Sequence, residues 1–317
     1  MKKRMLWGMV VLVLAGLVFV YRPYRGEIRE AYRRIEESSH VLVTDNGTIE
    51  YGIQGDGEPV LMIHGAGGGY DQGLLLGRAY FGDGHQLIAV SRFGYLGSPL
   101  DGDGTVERQA RLYADLLNHL EIGQVMVCGI SAGGPSALQF AHDHPERSRG
   151  LVLVSAVTRF MGDDIPVGTK LVNAIQKTDV GYWLVARAFR TQFLALIGIP
   201  GETYRSLNDE EKGFADAMLE TMHPMSPRRP GNIHEAAIRP LSGDAMAQIA
   251  VPALLLHAED DSLVDVSHAR YAHEHLGDSR FVLFDSGGHG MATELQAIRG
   301  HIREFAVNPE QSMESSL

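Results

Sequence analysis

Apolar residues gather in six short runs that recur along most of the chain. The runs span residues 60–63, 87–90, 125–128, 151–154, 253–256 and 281–284. Strands that are apolar at every position are typical of a parallel sheet buried on both faces. Stretches compatible with helix, such as 106–120 and 134–142, lie between the runs. The alternation predicts an α/β protein with a mostly parallel central sheet covered by helices.

A hairpin is predicted before the first of these runs. Asp45-Asn46-Gly47 separates two β-compatible stretches at 41–43 and 48–53. Asn-Gly favours a tight turn because both residues accept a positive φ. We therefore expect an antiparallel pair of strands at the start of the sheet.

The alternation of strands and helices is interrupted once. Residues 158–249 contain no clear strand, but they contain helix-compatible pieces at 170–197 and 209–222 and a proline-rich passage at 223–230. We interpret this segment as a helical lid inserted into an α/β core formed by residues 41–157 and 250–306. Residues 307–317 are expected to form a C-terminal tail.

The amino terminus carries an uncharged apolar run at residues 5–21, preceded by Lys2, Lys3 and Arg4. A membrane span needs about 17 to 20 such residues. The pattern predicts an N-terminal membrane anchor over 1–25, a single pass that attaches the protein to a membrane, followed by a charged linker at 26–40. A cleaved signal peptide, which would make the protein secreted, is the alternative.

Composition and charge limit the classes of partner. The chain has 317 residues, of which 44% are hydrophobic, and a formal net charge of −11. An acidic chain of this kind argues against a nucleic-acid partner, which requires a basic face. The single cysteine, Cys128, lies within an apolar run, and we expect a buried core thiol there instead of a nucleophile.

A candidate nucleophile occurs in Gly129-Ile130-Ser131-Ala132-Gly133. This G-x-S-x-G motif follows a predicted strand and precedes a predicted helix. A sharp strand-to-helix turn exposes the serine hydroxyl and tolerates only small residues on either side. The context, more than the motif alone, predicts a nucleophile elbow at Ser131.

Other candidate groups also follow predicted strands. A glycine-rich loop at 64–69 follows the strand at 60–63 and can aim backbone N–H groups at a developing oxyanion. Asp260 and Asp261 follow the strand at 253–256, and His289 lies between glycines after the last strand. The chain order Ser, Asp, His at strand ends favours a catalytic triad.

With these residues in view, the chain resembles the α/β-hydrolase superfamily from about residue 41 to residue 305. The resemblance rests on His64-Gly65, on the elbow at 129–133, on the acid loop at 258–264 and on Gly287-Gly288-His289. The loop at 91–98 is also similar to one in the family, although Ser91 stands where the family usually has an acid.

The resemblance implies a role for each matching residue. Ser131 would be the nucleophile and His289 the general base, oriented by Asp261, with Asp260 as the alternative acid. The backbone N–H groups of Ala132 and of Ala66, or of Gly67 in a longer loop, would bind the oxyanion. No metal or organic cofactor is implied.

The expected function is that of a serine hydrolase that cleaves an ester or related acyl bond through an acyl-enzyme. A lid with many apolar residues favours a small-molecule, apolar acyl substrate. Two alternatives share the fold: a carbon–carbon bond hydrolase or perhydrolase with the same triad, and a ligand-binding member without catalysis.

Overall fold

The computed structural model describes residues 2–160, 175–307 and 309. The strands in these residues form one sheet with the order β1-β2-β4-β3-β5-β6-β7-β8. They are β1 (His40–Thr44), β2 (Gly47–Gln54), β3 (Glu58–Ile63), β4 (His85–Val90), β5 (Val125–Ile130), β6 (Ser148–Val154), β7 (Ala253–Ala258) and β8 (Ser279–Phe284). β1 and β2 form the predicted antiparallel hairpin, and β3 to β8 run parallel. The predicted fold class is confirmed.

Helices cover both faces of the sheet. Those described are α1 (Lys2–Glu37), α2 (Tyr70–Phe81), α3 (Val106–His119), α4 (Gly134–Asp143), α5 (Asp179–Ala188), α6 (Arg190–Leu196), α7 (Gly201–Ser206), α8 (Asp209–Glu220), α9 (Arg229–His234), α10 (Gly243–Met246), α11 (Ser267–His275) and α12 (Leu295–Val307). α3, α4, α10 and α11 bury their apolar residues on one face. α2, α12 and helices from the segment between β6 and β7 pack on the other.

Strand β3 shows why the apolar runs predict the sheet so well. Leu61 and Ile63 enter the core on one face, and Val60 and Met62 enter the core on the opposite face. All four side chains are completely buried. Since successive strand residues point to opposite faces, only a run that is apolar at every position satisfies both cores.

The order in which successive strands are added to the sheet reverses beside β3. β4 lies on one side of β3, and β5 lies on the other, with Ile63 paired to Gly129. The loops that follow β3 and β5 therefore diverge, and a crevice lies between them at the carboxyl edge of the sheet. Crevices of this kind are the usual ligand sites of open α/β sheets.

The predicted membrane anchor is wrong. Within the residues that the structure describes, no helix is both long enough and apolar enough to cross a membrane. The apolar run at 5–21 is only the first half of α1, a continuous helix of 36 residues whose second half is rich in charged residues. This second half packs on the α/β core, where Ala31 and Ile35 are buried and the Tyr70 hydroxyl donates to the Ile35 carbonyl at 2.9 Å. The transmembrane helix, the membrane partner and the membrane-anchored localisation are corrected accordingly.

The second half of α1 also contacts the segment inserted between β6 and β7. Glu27 accepts hydrogen bonds from Trp183 Nε1 at 2.5 Å and from Arg187 at 2.8 Å. The Tyr32 hydroxyl donates to Asp179 at 2.9 Å. Of residues 26–40, which we expected to be a charged linker, residues 26–37 form the end of a helix that connects the inserted segment to the core.

A buried ion pair makes a further connection between the inserted segment and the core. Arg228 is fully buried and donates two hydrogen bonds to Asp71 of α2, at 2.7 and 3.0 Å. Residues 161–174 of the predicted lid lie outside the described residues, as does the predicted tail apart from Val307 and Pro309. Between residues 175 and 249 the structure has the helices α5 to α10, joined by loops.

Candidate active site

Ser131 lies on a sharp turn between β5 and α4. Its φ is +52°, in the left-handed region that side chains other than glycine rarely adopt. A Cβ on Gly129 would lie 2.5 Å from Ala137 Cβ, and a Cβ on Gly133 would lie 2.4 Å from the Ile63 carbonyl oxygen. Both glycines are therefore required by close packing. The strained turn holds the Ser131 hydroxyl at the mouth of the crevice.

A continuous chain of hydrogen bonds links the three candidate catalytic side chains. His289 Nε2 is 2.9 Å from Ser131 Oγ, and His289 Nδ1 is 2.8 Å from Asp261 Oδ2. These residues follow β5, β8 and β7, so the parallel sheet brings them together at its carboxyl edge. The ionised Asp261 can only accept, so Nδ1 carries the proton and Nε2 is the acceptor of the serine proton.

Asp261 is held in one orientation by the chain around it. Its Oδ1 accepts hydrogen bonds from the backbone N–H groups of Leu263 and Val264 at 2.9 and 3.0 Å. Burial by itself raises the pKa of Asp261, but the hydrogen bond and charge of His289 and the two backbone donors lower it, and the pKa lies below its ordinary value. The carboxylate therefore remains ionised beside the imidazole.

Asp260 has a different contact. Its Oδ1 accepts a hydrogen bond from the Gly288 N–H at 2.8 Å. The adjacent acid thus fixes the backbone that carries His289, whereas Asp261 contacts the imidazole itself. The structure separates two residues between which the sequence leaves a choice.

Two further contacts hold the His289 loop. Ser155 donates its hydroxyl to the His289 carbonyl at 3.0 Å, and the Gly290 N–H donates to the Ile197 carbonyl at 2.8 Å. Gly288 has a φ of +57°, and a Cβ there would lie 2.1 Å from Gly198 Cα. The loop therefore depends on glycine for both its conformation and its close contact with the inserted segment.

The glycine-rich loop after β3 lies against Ser131. A Cβ on Gly65 would be 3.0 Å from Ser131 Cβ. His64 is buried at the base of the loop, where its Nε2 accepts from the Arg92 N–H at 3.0 Å and its Nδ1 is 2.6 Å from the Gly65 carbonyl. Burial, followed by the positive charge of Arg92, holds the pKa of His64 well below its ordinary value. A neutral His64 protonated on Nδ1 satisfies both contacts.

The candidate oxyanion donors differ in their availability. Ala66 is exposed, and its N–H has no acceptor in the part of the chain that the structure describes. Ala132 lies in the first turn after β5, where backbone N–H groups have no intrahelical partner. The Gly67 N–H instead donates to Asn232 Oδ1 at 2.7 Å. Ala66 and Ala132 are therefore the two sites in this group with an N–H to offer.

Asn232 belongs to a polar cluster beneath the glycine-rich loop. The Tyr95 hydroxyl oxygen lies 2.9 Å from Asn232 Oδ1 and 2.5 Å from Glu235 Oε1, so its single proton is shared between these two acceptors. Glu235 forms an ion pair with Arg92, which is almost completely buried. This cluster joins the inserted segment to the loop and to the strand end at Arg92.

Glu50 supplies a carboxylate to the loop at 91–98, which has Ser91 at the position where the family usually has an acid. The Ser91 hydroxyl donates to Glu50 Oε2 at 2.9 Å, and the Gly97 N–H donates to the same oxygen at 2.9 Å. Ser98 Oγ accepts from the Glu50 N–H at 2.8 Å. The carboxylate for the loop at 91–98 thus comes from the neighbouring strand β2.

A cavity of about 290 Å³ opens beside Ser131 and His289. Its wall is mostly apolar. Residues from the inserted segment line one side, namely Ile175, Gln176, Tyr182, Phe193, Ile197, Met218, Leu219 and Met222, and Gln72, Leu76 and Tyr80 of α2 line another. None of these described lining residues carries a formal charge.

Cys128 is buried in the sheet, and burial raises the pKa of its thiol well above the ordinary range. A thiol in this setting is unreactive. Among residues 2–160, 175–307 and 309, no group of three His, Cys, Asp or Glu side chains forms a set of metal ligands.

The sequence did not point to Gln72, Asn232, Ser155 or Glu50. Asn232, Ser155 and Glu50 act through contacts with residues far away in the chain, so no local motif marks them. Gln72 contacts Gly65, only seven positions earlier, but no motif marks that pair either. The one usable indication was the absence of an acid at Ser91, which implies a carboxylate from elsewhere.

Fold and site together define a class of protein. The chain belongs to the alpha/beta hydrolase fold family, whose model matches residues 58–293. The resemblance inferred from the sequence is confirmed.

Similar proteins extend over most of the chain. An uncharacterized hydrolase of Bacillus subtilis (strain 168), YcgS, is 32% identical over 278 residues, which cover 81% of this chain and 92% of that protein. An alpha/beta hydrolase fold protein from Nakamurella multipartita is 28% identical with a TM-score of 0.68, covering 87% of this chain and 99% of its own. An esterase from Rhodococcus sp. ECU1013, 20% identical with a TM-score of 0.66, covers 86% of this chain and 99% of its own and shares the fold.

Proposed function

We propose that this protein is a serine hydrolase that cleaves an ester or related acyl bond through an acyl-enzyme on Ser131. The observation that carries the proposal is the unbroken hydrogen-bond chain from Ser131 Oγ through His289 to Asp261. A serine hydroxyl is a weak nucleophile until an adjacent base accepts its proton. His289 Nε2, 2.9 Å from Ser131 Oγ, has the position for that role.

The reaction would proceed in two halves. Ser131 Oγ attacks the carbonyl carbon while its proton passes to His289 Nε2, and the tetrahedral oxyanion is bound by the N–H groups of Ala66 and Ala132. His289 then protonates the leaving alcohol, which departs as the acyl-enzyme forms. In the second half His289 deprotonates a water molecule, which attacks the acyl carbon and releases the acid and the free serine.

Asp261 would act by holding and charging the imidazole. The carboxylate fixes the tautomer with the proton on Nδ1 and stabilises the positive charge that His289 acquires during attack. The lowered pKa of Asp261 supports this role because the group stays ionised throughout. Asp260 would act as a positioning residue through Gly288.

The inserted segment would act as a lid over the acyl-binding cavity. Eight of its described residues line the cavity, and six of those eight are aliphatic, aromatic or methionine side chains without a titratable group. An uncharged wall favours a neutral, apolar acyl chain, since burying a charge there without a partner would be costly. No Lys or Arg is among the lining residues in the described part of the chain, which argues against the carbon–carbon bond hydrolase alternative for substrates that are carboxylate anions.

A fluorophosphonate probe tests the proposal directly. Wild-type protein should be labelled once per chain, Ser131→Ala should not be labelled, and Ser206→Ala, which removes an exposed serine from α7, should be labelled like wild type. Hydrolysis of p-nitrophenyl esters should fall roughly 10⁶-fold in kcat for Ser131→Ala. Labelling that persists in Ser131→Ala, or tight binding of esters without turnover by wild type, would overturn the proposal.

A further inference from the structure

The cavity wall contains one side-chain donor close to the nucleophile that no part of the proposed reaction uses. Gln72 lines the cavity and is 6% exposed. Its Oε1 accepts a hydrogen bond from the Gly65 N–H at 3.2 Å. Because that partner is a donor, the atom facing it must be the amide oxygen, which fixes the orientation of the carboxamide.

The amide nitrogen of Gln72 is consequently left with two N–H donors. It has no acceptor in residues 2–160, 175–307 and 309, and it is not sealed among protein atoms. Since Gln72 lines the cavity, this nitrogen is a donor that a ligand in the cavity can reach. A polar group in a mostly apolar wall fixes the orientation of a bound ligand when it forms a hydrogen bond to it.

The loop is shaped around this side chain. A Cβ on Gly68 would lie 2.3 Å from Gln72 Oε1 and 2.7 Å from His64 Nδ1. Any side chain at position 68 would therefore push the carboxamide away from the loop. Gln72 is built into the site and is not a surface group that happens to reach it.

The residues of α2 that line the cavity change from polar to apolar along the helix. Gln72, Leu76 and Tyr80 are spaced by four residues on α2, so they share one face and line the cavity in sequence. Gln72 is at the catalytic end, since Gly65 contacts both Gln72 and Ser131. Leu76 and Tyr80 follow at steps of about 6 Å along the helix axis. The wall thus changes from a polar donor to apolar surface with distance from the nucleophile.

We propose that Gln72 is a specificity-determining residue that donates a hydrogen bond to a second oxygen of the substrate, near the scissile carbonyl. The substrate class is an acyl ester that carries a hydroxyl or keto oxygen on carbon 2 or 3 of the acyl chain and an apolar tail beyond it. This inference rests on the proposed esterase function. The apolar cavity by itself indicates only that the substrate is apolar. The inference adds where a polar group of that substrate lies.

The test compares esters that differ only in that oxygen. kcat/KM is measured for the p-nitrophenyl esters of butanoate, 2-hydroxybutanoate and 3-hydroxybutanoate with wild type and with Gln72→Met. Each hydroxy ester is expressed as a ratio to butanoate, so that intrinsic reactivity cancels between the two proteins. A hydrogen bond of ordinary strength predicts that at least one ratio falls about 3- to 10-fold in Gln72→Met.

The ratio separates substrate binding from support of the loop. Loss of the Gly65 contact would lower kcat/KM for all three esters alike and would leave both ratios unchanged. Gln72→Glu at pH 8 is the second variant, since it keeps an oxygen acceptor for Gly65 and lacks the N–H donors, and it should show the same fall in ratio. Unchanged ratios in both variants overturn the inference, whereas wild type that hydrolyses none of the esters overturns the proposed function.

Discussion

The Glu50 carboxylate accepts a hydrogen bond from the Ser91 hydroxyl, and so supplies from β2 the acid that the loop at 91–98 lacks in its own sequence. Glu50 is 6% exposed. The arrangement has an electrostatic consequence for stability, because a buried carboxyl resists ionisation.

Stability should depend on pH through Glu50. Burial raises the pKa of Glu50 above its ordinary value of 4.5, against hydrogen bonds from Gly97 and Ser91 that lower it. A carboxyl whose pKa is raised on folding contributes stability that is complete below the unfolded pKa and is lost as pH rises through the folded pKa. Glu50→Gln should therefore gain in free energy of unfolding relative to wild type between pH 4.5 and pH 8. Urea unfolding of both proteins across this range measures it, and a difference that does not change with pH would contradict it.

Asp260 and Asp261 should respond differently to the same substitution. Asp261→Asn removes the charge and favours the wrong imidazole tautomer, so we expect kcat to fall by roughly 10⁴. Asp260→Asn keeps an oxygen that accepts from the Gly288 N–H, and its kcat should stay close to wild type. Ester hydrolysis by the two matched variants distinguishes them. Equal losses would mean that the roles assigned to the two acids are wrong.

Asn232 should influence catalysis through the glycine-rich loop. Its Oδ1 holds the Gly67 N–H and the Tyr95 hydroxyl, so Asn232→Ala frees the loop that carries Ala66. Small displacements of catalytic groups are costly, and kcat should fall by up to about 100-fold while KM changes little. Asn232→Asp retains an acceptor and should recover part of the loss. If Ala and Asp variants have the same kcat as wild type, the loop does not depend on this contact.

Gly133 should not tolerate even a methyl group. The added Cβ would meet the backbone carbonyl oxygens of Ile63 and His64 at 2.4 and 2.7 Å, and backbone atoms cannot move aside cheaply. Overpacking of this kind costs about 1–3 kcal/mol, and Ser131 should be displaced with the turn. Gly133→Ala should have a lower Tm in thermal unfolding and a lower kcat in ester hydrolysis than wild type.

Gly300 on α12 offers the matched control. A Cβ there has no atom within 4 Å and the position is exposed, so Gly300→Ala should raise stability by about 0.5–1 kcal/mol through the helix propensity of alanine. A destabilised Gly300→Ala, or a Gly133→Ala as stable as wild type, would show that packing at the elbow is not what requires glycine.

Much of this protein could be predicted from local sequence. All six apolar runs became parallel strands, and the five in β3 to β7 are buried because a strand covered on both faces needs apolar residues at consecutive positions. The sixth run lies in the edge strand β8, which is only partly buried, with Leu283 exposed. The Asn46-Gly47 turn and the glycines around Ser131 were recognisable for a similar reason, since backbone conformation and close packing restrict those positions to very few residue types.

Tertiary structure decided what depended on contacts between distant residues. Whether Asp260 or Asp261 contacts His289 follows from how β7 and β8 place the loops after them. The contacts of Asn232 and Glu50 arise only where elements far apart in the chain come together. The membrane-anchor prediction for the apolar run at 5–21 was wrong because it considered that run alone. The run is part of the longer helix α1, whose second half packs on the core. A sequence pattern indicates whether a residue faces the core or the solvent. Which residue it contacts there depends on the register of the strands and on how whole elements cross.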